Sequence, residues 1–192
     1  LVEAAPLGRA LDRRALELAL DALRAAPGLR LSVNVSPLTI GDALWEWVLE
    51  GAFDADPTVT ERLIVEITEA AVAPDPGAVA AFAQRVRATG ASVALDDFGA
   101  GAPSFRHLRA VPFDILKIDG AFASGVDRDP DNRACIAAMV GLGHHFEALV
   151  VAEGVETAAE ARALTDAGVD ALQGYLFGHP RLAAPGAARC SA

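Results

Sequence analysis

Short apolar runs alternate with amphipathic stretches along this chain. Five runs rich in valine, isoleucine and leucine predict β-strands at 29–37, 62–69, 91–97, 113–119 and 148–156. A weaker sixth run covers 170–178. Apolar runs of this length are typical of strands that are buried on both faces of a parallel sheet.

Helices are predicted in the gaps between these runs, over 11–25, 76–89, about 131–147 and 158–167. The second of them has Asp75 as its N-cap, Pro76 at its first position and Gly90 just beyond its end. Thr157 and Glu160 form a capping-box pattern that opens the last one. This alternation of strand and helix indicates an α/β domain with a parallel sheet.

A polar side chain lies near the carboxyl end of every predicted strand. The set is Asn34, Glu66, Glu69, Asp96, Asp97, Lys117, Glu153, Glu156 and Gln173. An open sheet takes its ligand-binding residues from a few strands around a switch point, whereas a barrel collects them from every strand onto one rim. The six contributing strands therefore favour a modified, TIM-like (β/α)8 barrel. Because this count is two strands short, and 192 residues are fewer than the usual size of about 250, we expect the first two strands to lie outside this chain.

Two adjacent aspartates, Asp96 and Asp97, follow the third predicted strand. Successive side chains on a strand point to opposite faces. These two carboxylates can therefore serve one site only where the backbone begins to turn. We expect that turn at Gly99 and Gly101, because glycine readily adopts positive φ angles.

Oxygen donors dominate the polar strand ends. Five of them are Asn34, Glu66, Asp96, Asp97 and Glu153. Such donors suit Mg²⁺ or Mn²⁺ and are wrong for zinc or copper, and a two-metal site that acts on a phosphodiester explains why so many acids share one rim. Lys117 could orient the attacking water or neutralise charge on the phosphate. Glu69 and Glu156 either support the site or cap the segments that follow them.

Composition narrows the class of partner. The net charge of −10 argues against nucleic acid polymers, but it allows a small anionic ligand that binds through metal ions. Cys135 and Cys190 form neither a disulfide framework nor a metal-ligand spacing. No apolar run reaches the roughly 18 residues of a membrane helix, and the first residues lack the layout of a signal peptide. We expect a cytoplasmic domain over 1–182, followed by a tail over 183–192.

Six segments, in this order, resemble the successive motifs of a known family. The segments "LSVNVSP", "VEITEA", "ALDDFGAG", "ILKIDGAF", "VVAEGVET" and "LQGYLFGHP" are similar to those of EAL-domain cyclic di-GMP phosphodiesterases, over about residues 1–182. The resemblance implies a modified (β/α)8 barrel. It also implies hydrolysis of the bacterial messenger cyclic di-GMP to linear pGpG with two Mg²⁺ or Mn²⁺ ions.

The resemblance gives each metal-binding position a role. Asn34 and Glu66 would bind one ion, and Asp96 would bridge the two ions. Asp97 and Glu153 would bind the second ion.

The resemblance also implies roles around the metal ions. Lys117 would contact the catalytic water, and Glu69 would anchor the loop after Asp97, which couples the site to homodimerisation in this family. Glu156 and Gln173 match further motif positions at the rim. Gln173, Gly99 and Gly101 would lie against the ligand.

Two departures from the family pattern stand out. The Glu-Ala-Leu signature, with the first metal-binding Glu and a ligand-binding Arg, is not in the sequence, and we expect it to precede this chain. The loop after the aspartates departs from the usual pattern at Ala100, Ala102, Pro103 and Phe105. Ala100 lacks a hydroxyl and Pro103 removes a backbone donor, which makes the coupling of this loop to turnover an open question.

Three functions stay open on sequence grounds: a metal-dependent phosphodiesterase, a non-catalytic cyclic di-GMP receptor, and a scaffold that binds neither ligand nor metal. Five of the six expected metal-binding positions are retained, which favours the enzyme in the native protein. We also expect other signalling domains in the full-length protein. For residues 1–192 alone we expect impaired or absent turnover. One metal ion would lack a ligand, and unpaired sheet edges would be exposed.

Overall fold

The computed structural model describes residues 7–100 and 105–181. Within these residues the strands are β1 (Leu31–Asn34), β2 (Leu63–Thr68), β3 (Ser92–Phe98), β4 (Ile115–Ile118), β5 (Leu149–Ala152) and β6 (Ala171–Leu172). The helices are α1 (Leu7–Ala25), α2 (Ala43–Ala55), α3 (Pro57–Thr60), α4 (Glu69–Val72), α5 (Pro76–Ala88), α6 (Phe105–Ala110), α7 (Gly120–Ala123), α8 (Pro130–His145) and α9 (Ala158–Asp166).

The six strands form one curled sheet in which every neighbouring pair is parallel and the spatial order follows the chain order. Such an order, with helices in the connections, is that of a (β/α) barrel and has no switch point. The predicted α/β class and barrel-type architecture are therefore confirmed, as a partial barrel of six strands. Within the described residues, β1 and β6 form the two edges of the sheet.

The hydrophobic core lies between the convex face of the sheet and the helices. Alternate residues of β2, such as Val65 and Ile67, are buried against that layer. Val79, Phe82 and Val86 of α5 lie on the facing side and are at most 2% exposed, as their shared helical face predicts. The intervening strand residues point to the concave face, where the polar side chains gather.

The predicted helix caps are confirmed. The Asp75 side chain accepts a hydrogen bond from the Ala78 amide at the start of α5. Thr157 and Glu160 form the reciprocal capping box at the start of α9. These short-range signals depend on local hydrogen bonds, so they transfer directly from sequence to structure.

Helix α2 was not predicted, although Asp42 caps it through the Leu44 and Trp45 amides. Trp45 and Leu49 face the core, but Leu44 and Trp47 are exposed apolar residues on its other side. The outward apolar residues blur the helical period, so the segment "ALWEWVLEGAFDA" lacks a clear amphipathic pattern.

Several predicted strands are shorter in the structure. The fifth ends at Ala152 and the sixth covers Ala171–Leu172, after which the chain turns. The predictions for Gly101, Cys190 and the tail at 183–192 lie outside the described residues. Among the helices that the structure describes, none combines the length and the apolar character that crossing a bilayer requires.

Candidate active site

Lys117 lies at the centre of the acidic rim. Its Nζ atom is 2.9 Å from Glu66 Oε2, 3.0 Å from Asp96 Oδ1 and 2.6 Å from Glu153 Oε1. Burial on its own would lower the pKa of Lys117, but hydrogen bonds to Glu153, Glu66 and Asp96 raise it above the ordinary lysine value. The side chain is therefore a fixed positive charge that draws carboxylates from β2, β3 and the end of β5 together.

A bulge in β3 explains how two consecutive aspartates reach one rim. Leu95 pairs with Leu116 and Phe98 pairs with Ile118, so three steps along β3 match two steps along β4. Asp97 takes up the extra residue with a φ of 56°, which is uncommon for a residue other than glycine. Strand pairing continues to Phe98, so the backbone departs from regular strand geometry at Asp97 itself, earlier than the predicted turn at the glycines.

Asp96, Asp97 and Glu153 form a compact acidic group on the rim. One carboxylate oxygen from each lies within 4.8 Å of the other two. Desolvation, reinforced by the charges of Asp96 and Asp119, raises the pKa of Asp97. Desolvation also raises the pKa of Glu153, against the opposing effect of Lys117. Three negative groups held this close lower their repulsion most simply by binding a cation between them.

The remaining two predicted metal-binding residues lie side by side on the neighbouring strands. Asn34 is the last residue of β1 and pairs in register with Glu66 of β2. Neighbouring strands lie about 4.8 Å apart, so the two residues occupy adjacent positions on the rim. Glu66 reaches Lys117, whereas Asn34 is exposed.

Glu69 contacts the loop that follows Asp97. This buried glutamate opens α4 directly after β2, and its Oε2 accepts a hydrogen bond of 3.3 Å from the Gly99 amide. Gly99 has a φ of 99°, and a Cβ atom there would lie 2.6 Å from the ring of Phe122. A side chain at this position would therefore force either the Phe122 ring or the beginning of the loop to shift.

Glu156 and Gln173 lie in the segments that follow β5 and β6 at the carboxyl end of the sheet. Glu156 is exposed, and Glu160 accepts hydrogen bonds from the backbone amides of Glu156 and Thr157. Gln173 follows β6 and lines a cavity of about 180 Å³ on the concave face, together with Glu66 and Lys117. Thr157 and Glu160 together cap α9, and the exposed Glu156 lies immediately before them.

Asp119 is a rim residue that the sequence reasoning missed. It lies two positions after Lys117, and its charge contributes to the raised pKa of Asp97. It also caps α7 by accepting a hydrogen bond of 2.7 Å from the Ala121 amide. The spacing of Lys117 and Asp119 was the available signal, because residues two apart on a strand share a face.

The donor set fits a hard divalent cation. Carboxylate and amide oxygens are the ligands that Mg²⁺ and Mn²⁺ prefer, and the group of Asp96, Asp97 and Glu153 offers oxygens at compatible spacing. A family model described as the EAL domain matches residues 1–180. The chain belongs to the EAL domain family.

Members of this family with described activities resemble the chain over most of its length. The bifunctional diguanylate cyclase/cyclic di-GMP phosphodiesterase MucR of Pseudomonas aeruginosa is 35% identical over 150 residues, which cover 78% of this chain and 22% of MucR. The cyclic di-GMP phosphodiesterase PdeR of Escherichia coli is 32% identical over 157 residues, covering 79% of this chain and 23% of PdeR. This EAL domain thus spans between a fifth and a quarter of the length of these relatives.

The fold of this EAL domain closely matches a solved structure. The MucR phosphodiesterase in complex with cyclic di-GMP superimposes with a TM-score of 0.86 at 32% identity, over 93% of this chain and 80% of the MucR chain.

Proposed function

We propose that this EAL domain binds cyclic di-GMP and, in the complete protein, hydrolyses it to linear pGpG with two Mg²⁺ or Mn²⁺ ions. The observation that carries the proposal is the convergence of Asp96, Asp97 and Glu153 to within 4.8 Å of one another, beside the buried ammonium of Lys117. Relatives named as cyclic di-GMP phosphodiesterases support the same substrate.

Each rim residue has a role in this proposal. Asn34 and Glu66 would hold one metal ion, Asp97 and Glu153 would hold the other, and Asp96 would contribute to both. When bound, the metal ions would polarise the phosphodiester and supply a nucleophilic water at neutral pH. Residues of the chain itself set the geometry in which this chemistry takes place.

Lys117 supplies positive charge next to the reacting phosphate. Its contacts of 2.6–3.0 Å to three carboxylates fix the ammonium in place, so it can orient the attacking water and offset charge that develops on the phosphate oxygens. Glu69 holds the Gly99 end of the loop after Asp97. Gln173 and Glu156 complete the rim on the side of β5 and β6.

The wider setting follows from the relatives. They are several times longer than this chain, so we propose that other signalling domains accompany the EAL domain in the full protein. We also propose, from the resemblance to the family, that it functions in the cytoplasm as a homodimer. Cyclic di-GMP is the small anionic ligand that an acidic rim can bind through metal ions.

The decisive experiment follows the formation of pGpG from cyclic di-GMP by chromatography, with Mg²⁺, with Mn²⁺ and with chelator. It uses this chain and a longer chain in which the Glu-Ala-Leu segment precedes residue 1. Asp97→Asn should lower turnover of the longer chain more than about 100-fold, because removing even an outer-shell partner of a metal ligand costs 10–100-fold. Asn tolerates the positive φ at this position as Asp does, so the fold should persist.

Asp114→Asn is the matched control, because it removes one carboxylate from the opposite end of the sheet. It should leave turnover unchanged at temperatures at which the protein is folded. Full activity of the Asp97→Asn variant would refute the two-metal mechanism. Binding of cyclic di-GMP without any metal-dependent product would instead identify a receptor.

A further inference from the structure

Asp12, near the start of α1, is bonded to the loop that follows β1. Its Oδ2 atom accepts a hydrogen bond of 2.9 Å from the Ser36 amide and one of 2.7 Å from the Thr39 hydroxyl. These contacts join residues 24 and 27 positions apart in the chain. A single carboxylate oxygen therefore attaches α1 to the loop between β1 and α2.

The contact is partly buried. Thr39 is fully buried at 0% exposure, and its hydroxyl also lies 3.4 Å from the Ser36 hydroxyl. A buried hydroxyl that loses its acceptor costs about 1–3 kcal/mol, and a carboxylate accepting two hydrogen bonds is a strong acceptor. The loop is thus fixed at this point.

The fixed point lies immediately beyond Asn34. Ser36 follows Asn34 by two residues, and the intervening Val35 is 3% exposed and donates its amide to the Glu66 carbonyl. The Asn34 backbone is consequently held on one side by strand pairing with β2 and on the other by Asp12. The exposed Asn34 side chain extends from a backbone that cannot shift freely.

We infer that Asp12 and Thr39 are positioning residues for Asn34, holding its amide oxygen where it can bind a divalent cation beside Glu66. The inference rests on the proposed function. Asp12 and Thr39 do not touch the cation or the substrate; they act through the β1–α2 loop. Their loss should weaken binding at the Asn34–Glu66 position and leave the group formed by Asp96, Asp97 and Glu153 in place.

The experiment compares two fully buried threonines. Thr39→Val removes the hydroxyl that donates to Asp12, while Thr60→Val removes one that donates to the Thr89 carbonyl at 2.5 Å, at the amino end of the sheet. Both threonines are 0% exposed, so both variants should lose similar stability. Mn²⁺ binding is measured by calorimetry on the longer chain in which the Glu-Ala-Leu segment precedes residue 1, at a temperature at which circular dichroism shows every variant folded.

Thr39→Val should weaken binding of one Mn²⁺ ion by about 10–100-fold, the range observed when a ligand's supporting contact is lost, and Thr60→Val should not. Thr39→Ser keeps the hydroxyl and should retain wild-type affinity. Asp12→Ala should behave as Thr39→Val does. Asp12→Asn keeps an oxygen acceptor and should retain most of the affinity.

Two outcomes separate this inference from the proposed function. Equal Mn²⁺ affinity in Thr39→Val and Thr60→Val, with normal binding by the wild type, overturns the positioning role alone. A folded wild-type chain that binds no Mn²⁺ overturns the proposed function and the positioning role with it.

Discussion

Carboxylates occur at both ends of the parallel sheet, but their hydrogen-bond and ion-pair partners differ between the two ends. At the amino end, Asp114 precedes β4 and accepts a hydrogen bond of 2.8 Å from the Val93 amide of β3. Asp170 precedes β6 and accepts one of 2.7 Å from the Val150 amide of β5. Each also has one cationic or ionisable partner, Arg87 at 2.9 Å and His144 at 2.9 Å.

At the carboxyl end, several acids share one cation. Glu66, Asp96 and Glu153 all contact Lys117, and Asp97 and Asp119 lie close enough for their charges to interact. The local backbone is irregular at the same place, where Asp97 adopts a φ of 56°. The acids at the amino end complete strand hydrogen bonding, whereas those at the carboxyl end are crowded at a cost to stability.

The difference is what a (β/α) barrel leads one to expect. The amino end of such a barrel serves stability, and the carboxyl end carries the functional residues. A site that gathers like charges and positive φ angles lowers the stability of the fold, and it persists because the surrounding structure holds it in place. Substitutions of the same kind at the two ends should therefore have different consequences.

The largest difference should come from removing a cation. Lys117→Met leaves three carboxylates near a buried site without their shared partner, and breaking a buried ion pair in this way costs about 3–5 kcal/mol. Arg87→Met breaks the exposed pair with Asp114, which is worth about 0–1 kcal/mol. Urea unfolding in the presence of chelator measures both free energies of unfolding.

Addition of Mn²⁺ sharpens this test. A divalent cation that binds the acids should offset part of the loss in Lys117→Met, because a ligand that binds the folded state stabilises it by mass action. Mn²⁺ should stabilise Arg87→Met by about as much as it stabilises the wild type. Equal losses in the two variants would contradict the contrast between the two ends.

A smaller effect, opposite in sign at the two ends, should follow from replacing Asp with Asn. In chelator, Asp97→Asn should stabilise the fold by up to about 1 kcal/mol, because it removes a charge that Asp96 and Asp119 repel. Asp114→Asn should destabilise the fold by about 1 kcal/mol, because it weakens a charge-assisted hydrogen bond to Val93. The urea midpoint of each variant is compared with that of the wild type. Shifts of the same sign in the two variants would contradict the prediction.

The sequence predicted the elements whose signals are local. The strands, the caps at Asp75 and Thr157, and the side chains Val79 and Phe82 depend on patterns within a few residues. The barrel-type order could also be predicted, because a polar residue at each strand end marks one rim. Helix α2 could not, since its exposed Leu44 and Trp47 hide the helical period.

The details of the site depended on contacts between distant segments. The bulge at Asp97 is visible only when the register of β3 against β4 is known. The one hint in the sequence was that the apolar residues Leu95 and Phe98 flank two adjacent acids, which breaks the alternation of a regular strand. The sequence placed the acids and Lys117 on one rim, but the individual contacts of Lys117, like that of Asp12 with Thr39, join residues far apart in the chain. No local pattern encodes such pairs.

The smallest predicted effect concerns pH at the amino end. The hydrogen bond from the Val150 amide lowers the pKa of Asp170, and His144 lowers it further. Because the pKa of this carboxyl is lower in the folded state than in the unfolded chain, it adds stability above the unfolded value of about 4. That stability is lost as the pH falls through the lower, folded-state pKa.

Asp170→Asn should therefore reduce the difference in urea midpoint between pH 5 and pH 3. Asp166→Asn, an equal charge change at an exposed position of α9, should leave that difference nearly unchanged. If both variants behaved alike, Asp170 would be one more surface charge, and the pairing of acids at the amino end would contribute nothing to stability.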